Sequence, residues 1–227
     1  MDIEIAFRHT RALRSLVYCL FILVIVSQTL PACAQTAKSA NDDLFNAAMM
    51  GDLERVKELL DSGADIEYVQ PGSHQTVLQG AVSGVSGMYT GAHVKVVKLL
   101  LDRGATLGLH DGALGTALFM AVQANGSTSQ TPEQIEVVKM LLDHKASVGP
   151  LGAIRDTPLH GAAQCLHLES ARLLIEHGAN VNAVDSSGLT PLAVVRSIQW
   201  DIPEDKQGGP EDVKQAMIDL LRKAGAK

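Results

Sequence analysis

Aromatic residues are scarce: Phe, Trp and Tyr make up 4% of the 227 residues, and there is one tryptophan. So few rings argue against a base-stacking nucleic-acid surface and against an aromatic-lined sugar site. Positive charge is short as well. Nineteen Lys and Arg stand against 25 Asp and Glu, a formal net charge of −6 with no basic stripe to offset it. Binding to a phosphate backbone needs the opposite balance. The three cysteines, an odd count, rule out a fully paired disulfide framework. Eight histidines are present, yet no H-x-x-x-H or C-x-x-C spacing occurs. A P-loop, a G-x-G-x-x-G and a G-x-S-x-G are missing too.

Apolar residues make up 46% and charged residues 19%, enough to bury a core. The first 34 residues read as an address rather than part of the fold. Arg8, Arg11 and Arg14 precede an uncharged apolar run from Leu16 to Leu30, followed by Pro31-Ala32-Cys33-Ala34-Gln35. A basic start, a short apolar run and small residues at a cut site predict a secretory signal. The run is shorter than the ~20 residues a membrane span needs, although an uncleaved anchor is the competing reading. Two cuts are open: Ala32-Cys33-Ala34 fits signal peptidase, and Leu30-Pro31-Ala32-Cys33 resembles a bacterial lipobox that would leave Cys33 lipidated. Pro31 fits that box poorly, which favours simple cleavage. Loss of the leader would leave 16 Lys and Arg against 23 Asp and Glu, and Cys165 as the one internal thiol. Such a thiol in an oxidising compartment is expected to be buried. Small polar residues 35–41 read as a linker.

The remainder is one unit written about five times. First halves begin at Thr76 (TVLQGAV), Thr116 (TALFMAV), Thr157 (TPLHGAA) and Thr190 (TPLAVV). Second halves run LERVKELLDSGADIE from Leu53, VKVVKLLLDRGATLG from Val94, IEVVKMLLDHKASVG from Ile135 and LESARLLIEHGANVN from Leu168. A last one begins at Val213. Residues 157–182 carry T-P-L-H-x-A-A followed by L-L-x-x-G-A-x-V-N almost in full. Over residues 42–227 the chain resembles the ankyrin repeat. That resemblance implies an all-α solenoid of about five helix–turn–helix units with β-turn fingers, at about 42–75, 76–115, 116–156, 157–189 and 190–227.

The residues support this reading independently. Thr157 and Thr190 are placed to cap first helices. Pro158 and Pro191 fall in the first turn, where proline is tolerated. Gly63, Gly104, Gly178 and Gly225 stand where a helix ends in a left-handed residue, and Lys145 takes that place once. Charged residues at Lys95, Lys98 and Asp102, at Glu136, Lys139 and Asp143, and at Glu169, Arg172 and Glu176 form one solvent face per second helix. Val97, Leu100 and Leu101, like Val138, Leu141 and Leu142, then face the stack. Gly63 to Gly104 and Gly104 to Lys145 each span 41 residues, Lys145 to Gly178 spans 33, and Gly178 to Gly225 spans 47. The extra residues fall between first and second helices, at about 84–92, 125–134 and 198–211, on one edge of the stack.

Candidate chemistry is thin. His160 and His167 belong to the repeat pattern, and His144 and His177 sit at second-helix ends, where a cation suits the dipole. His74, His93 and His110 read as loop residues. Cys165 between His160 and His167 could suggest a Cys/His nucleophile, but all three serve the repeat. Asp42-Asp43 reads as a capping turn and Glu204-Asp205 as a solvated loop. Asn125-Gly126-Ser127 is a glycosylation sequon that matters only in a eukaryote. No catalytic residue, metal ligand or cofactor is expected.

The finger tips are apolar: Tyr68 and Val69; Leu109, His110 and Leu114; Leu151 and Ile154; Val184 and Leu189. Some of these pack against neighbouring fingers, and the remainder would form an exposed apolar strip floored by Phe119, Met120 and Gln123, which marks a partner site. The reading is a monomeric, non-enzymatic protein-binding module in the bacterial periplasm, touching a membrane only through its leader or a lipid anchor. A narrower version is an immunity or inhibitor protein against a toxic or hydrolytic enzyme. The rivals are an accessory enzyme or ligand-binding protein with 198–211 as a lid, and a eukaryotic secreted protein.

Overall fold

The computed structural model describes residues 40–84, 90–107, 116–123, 130–150, 155–199 and 210–227. The expected leader, Cys33 and most of the expected linker lie outside the described residues. Asp43–Lys227 forms a compact unit separate from Met1–Asp42. Its described residues are helical apart from turns, fingers and one isolated bridge.

Ten helices are described. The first, α1, covers 40–50. The others are α2 (Leu53–Asp61), α3 (Val77–Ser83), α4 (Gly91–Asp102), α5 (Ala117–Gln123), α6 (Pro132–Asp143), α7 (Pro158–Cys165), α8 (Leu168–Glu176), α9 (Pro191–Ser197) and α10 (Pro210–Lys223). Helices α3, α5, α7 and α9 pack in succession as one layer, and α2, α4, α6, α8 and α10 as a second. Within a unit, α3 meets α4, α5 meets α6, α7 meets α8 and α9 meets α10. Among the described helices the main packed pairs lie within a unit or between successive units, which is the logic of a helical solenoid.

Threonine starts the first helices because its hydroxyl accepts an orphan main-chain N–H. The hydroxyl oxygens of Thr76, Thr116, Thr157 and Thr190 accept from the N–H of Gln79, Phe119, His160 and Ala193 at 3.2–3.4 Å. Two caps are reciprocated: Gln79 Oε1 accepts from Thr76 N–H at 2.8 Å, and His160 Nδ1 from Thr157 N–H at 3.2 Å. The second helices end as the sequence predicts. Gly63, Gly104, Gly178 and Gly225 have φ between 86° and 95°, and Lys145 has φ 68°. In each case the following alanine donates back into the last turn, as Ala146 N–H does to Leu141 O at 3.0 Å.

The charged stripes of α4, α6 and α8 are exposed, and Val97, Leu100, Val138, Leu141 and Leu142 are buried. In α8 the fully buried leucine is Leu174, whereas Leu173 is half-buried. The long connections fall between first and second helices, but their helical ends differ from the sequence expectation. Gly91 and Ala92, Pro132 to Gln134, and Pro210 and Glu211 belong to the first turns of α4, α6 and α10. Thr131 caps α6, its hydroxyl accepting from Gln134 N–H at 3.2 Å. Ala40 and Asn41, counted with the linker, are helical. Asp43 lies within α1 rather than in a capping turn, and pairs with Arg55 at 3.6 Å.

One register position joins the layers. Asp52, His93, Gln134, His167 and Lys214 each stand eleven residues before the left-handed residue that ends a second helix. His93, Gln134 and His167 are buried. His93 Nε2 donates to Met49 O at 3.1 Å, and Gln134 Nε2 to Ala121 O at 2.9 Å. His167 Nδ1 donates to Val122 O at 2.6 Å, and Lys214 Nζ to Ile198 O at 2.8 Å. The acceptors are carbonyls at the ends of first helices, which no intrahelical donor can reach. His93 is therefore not a loop residue: Thr90 starts α4 there, and His93 Nδ1 accepts from the Thr90 N–H at 3.4 Å.

Candidate protein-binding groove

Each finger joins a second helix to the next capped threonine. In the first, Val69 and Thr76 form an isolated antiparallel bridge, and the Val77 N–H donates to Tyr68 O at 3.2 Å. Tyr68 and Val69 are both half-buried, and their main chains hold this hairpin. Glu67 ties it to the next finger, its carboxylate accepting from Thr106 N–H at 2.7 Å and from the Thr106 hydroxyl at 2.8 Å. In the last described finger, Asp185 Oδ1 accepts from the N–H groups of Ser187 and Leu189, both at 2.8 Å. This side-chain turn needs Gly188 at φ 78° to close. It leaves Val184 47% and Leu189 36% exposed.

Between this finger and the first-helix layer lies a groove of about 430 Å³. α5 contributes Phe119 and Gln123, and α7 contributes His160, Gly161 and Gln164. Val194 and Ser197 of α9, with Ile198 just beyond it, form one side. The fingers supply Asp156, Asp185, Ser186, Ser187 and Leu189. Gln123 Nε2 donates to Gln164 Oε1 at 3.3 Å, joining two units across the floor. A Cβ on Gly161 would come within 3.1 Å of Gln123 Cγ, so the missing side chain lets α5 and α7 approach. A second hollow of about 400 Å³ lies behind the finger, with Val148, Pro150, Arg155 and Val184 in its lining.

Of the finger and floor residues expected to bind a partner, Phe119, Gln123 and Leu189 share the groove, and Met120 does not line it. Val184 faces the neighbouring hollow instead. Tyr68 and Val69 sit in the first finger, and neither lines either hollow. Leu109, His110, Leu114, Leu151 and Ile154 lie outside the described residues. Asp156 and Asp185 went unnoticed in the sequence. The D-S-S-G at 185–188 was a legible turn signal, whereas nothing local announces that Asp156 would face the same space.

The histidine and cysteine chemistry is structural here. His160 Nδ1 takes the Thr157 N–H, and its Nε2 lies 3.1 Å from Leu189 O. His144 and His177 turn Nδ1 to main-chain carbonyls of their own helices, Met140 O and Leu173 O, each at 2.8 Å. Cys165 is partly buried, and burial pushes its thiol pKa up, the reverse of what a thiolate nucleophile requires. Among the described residues no group of three or more His, Cys, Asp or Glu is gathered that could hold a metal ion. No described helix is long and apolar enough to cross a membrane.

No curated protein matches the chain. The family described as "Ankyrin repeats (3 copies)" does, over residues 44–151 and again over 129–195. Those spans cover more than half of the sequence, and they contain the four threonine caps, the left-handed helix ends from Gly63 to Gly178 and the helices from α2 to α8. The chain belongs to the ankyrin-repeat family.

Proposed function

We propose that this protein is a non-enzymatic binding module exported to the bacterial periplasm, and that its partner protein docks in the groove formed by α5, α7, α9 and the 179–189 finger. Ankyrin repeats generally mediate protein–protein binding. The observation that carries the placement is Leu189. It is a large apolar residue, 36% exposed, yet fixed at both ends: its N–H donates to Asp185 and its carbonyl accepts from His160. A preorganised apolar side chain loses little entropy when it enters a partner. Export rests on the basic, apolar and small-residue order of the leader, with either plain cleavage or lipidation at Cys33 to follow.

A second reading makes the partner an enzyme that this chain inhibits. It is favoured by the acidic surplus, −6 over the whole chain, which speeds capture of a basic partner. Both readings are tested together. An alkaline phosphatase fused to the C-terminus is active when the chain is exported, and an inactive fusion removes the periplasm. Palmitate labelling that depends on Cys33 separates lipidation from plain cleavage. Partners are then captured from envelope extract with wild-type chain and with Leu189→Asp. A partner retained equally by both is not bound in this groove.

A further inference from the structure

Resting on the reading of the groove as the partner site, we propose that its occupant is an extended protein segment presenting one cationic side chain, arginine by preference, between apolar neighbours. Two aspartates from successive fingers, Asp156 and Asp185, line the same groove. No lysine or arginine is among its lining residues, and Arg155, next in sequence to Asp156, lines the adjoining hollow instead. None of the ion pairs among the described residues uses either aspartate.

The two carboxylates are prepared differently. Asp185 is oriented by the two N–H donors on its Oδ1, which leaves Oδ2 without a hydrogen bond among the described residues. Asp156 is half-buried and makes no hydrogen bond or ion pair there. The groove thus carries acidic groups and no basic one, and a cationic side chain entering it meets complementary charge. A guanidinium presents several donors in a planar fork and is more weakly hydrated than an ammonium, so it enters such a recess at less desolvation cost. Leu189, Val194 and Ile198 offer apolar surface for its methylene stem and for flanking side chains. A bare cation would use the carboxylates alone. The apolar walls, together with a groove of about 430 Å³, fit a peptide segment.

The test is a selection of random twelve-residue peptides against chain purified after expression of the full sequence. Affinities of the selected peptides are then measured by fluorescence anisotropy. Enriched peptides are expected to share one Arg or Lys flanked by apolar residues. Replacing that Arg with citrulline, which keeps the shape and removes the charge, is expected to weaken binding about tenfold or more. Asp156→Asn/Asp185→Asn should weaken the arginine peptide similarly and no longer distinguish it from the citrulline peptide. Asparagine at 185 retains an Oδ1 acceptor for the turn, and an unchanged thermal melt verifies the fold.

Enriched peptides without a cation, or an arginine preference that survives in the double variant, overturn the cationic occupant. The groove reading still stands if those peptides lose affinity for Leu189→Ala. Peptides that bind Leu189→Ala and Phe119→Ala as well as wild type overturn the groove itself, and an empty selection counts against both. Displacement of the peptide by arginine amide alone at equal affinity would make this a small-cation site and overturn the segment.

Discussion

His160 Nε2 donates to the carbonyl oxygen of Leu189 at 3.1 Å, joining residues 29 apart in the chain. Because Nδ1 of the same ring accepts the Thr157 N–H, the imidazole is held as the Nε2–H tautomer. One ring thus caps α7 and pins the finger that leads into α9. His160→Ala removes both contacts and leaves a buried N–H and a carbonyl to be satisfied elsewhere. It is expected to lower stability by about 1–3 kcal/mol in urea titration. Because Leu189 loses its anchor, partner affinity should fall with it. Unchanged stability would show that this pair is incidental.

Histidines of one type divide into two classes by environment. His167 is fully buried with its Nδ1 on Val122 O, whereas His144 is exposed on its own helix end. His167→Ala removes a short buried hydrogen bond, leaving the Val122 carbonyl only its longer one from Gln134 Nε2 at 3.3 Å, and opens space, so a loss of about 1–3 kcal/mol is expected. His144→Ala should stay within about 0.5 kcal/mol, as surface changes usually do. Equal midpoints for the two variants in one denaturation series would refute the distinction.

Leu166 ends α7 with φ 56° and is 1% exposed. Gly51 holds the matching place one residue before Asp52, at φ 74°. A left-handed leucine carries about 1 kcal/mol of backbone strain, which glycine would relieve. Deleting a buried leucine side chain removes about 2–5 kcal/mol. The lost packing exceeds the strain relieved, so Leu166→Gly should lower the melting temperature despite its better backbone. A higher one would mean that strain outweighs burial at this joint.

Burial raises the pKa of the Cys165 thiol. At a given alkaline pH the folded chain therefore holds less thiolate than the unfolded chain. Alkylation by iodoacetamide should be slow in buffer and accelerate in denaturant. The linkage has a definite sign. Above the ordinary cysteine pKa the unfolded state releases its proton first, so this group lowers stability as pH rises through that range. A Cys165→Ser variant should lose that part of the alkaline decline. Equal alkylation rates in native and denaturing buffer would contradict the burial.

Local order was legible in the sequence because it depends on neighbours three and four residues away. Thr157, Pro158 and Gly178 declare the starts and stop of one unit, and Val138, Leu141 and Leu142 its buried face, whatever stands elsewhere in the chain. The joints between the two helical layers were not legible. His93, Gln134 and His167 share a register position, yet their carbonyl partners lie 44, 13 and 45 residues away. Insertions of unequal length separate the helices, so no spacing rule could pair those atoms before the layers were stacked. The groove follows the same division. The turn at Asp185 could be read from D-S-S-G, and the apolar character of Leu189 from its own side chain. That Asp156 from one finger, Phe119 from α5 and Ile198 beyond α9 would face one space was decided by tertiary packing, which sets neighbouring units side by side and places residues distant in sequence around a common recess.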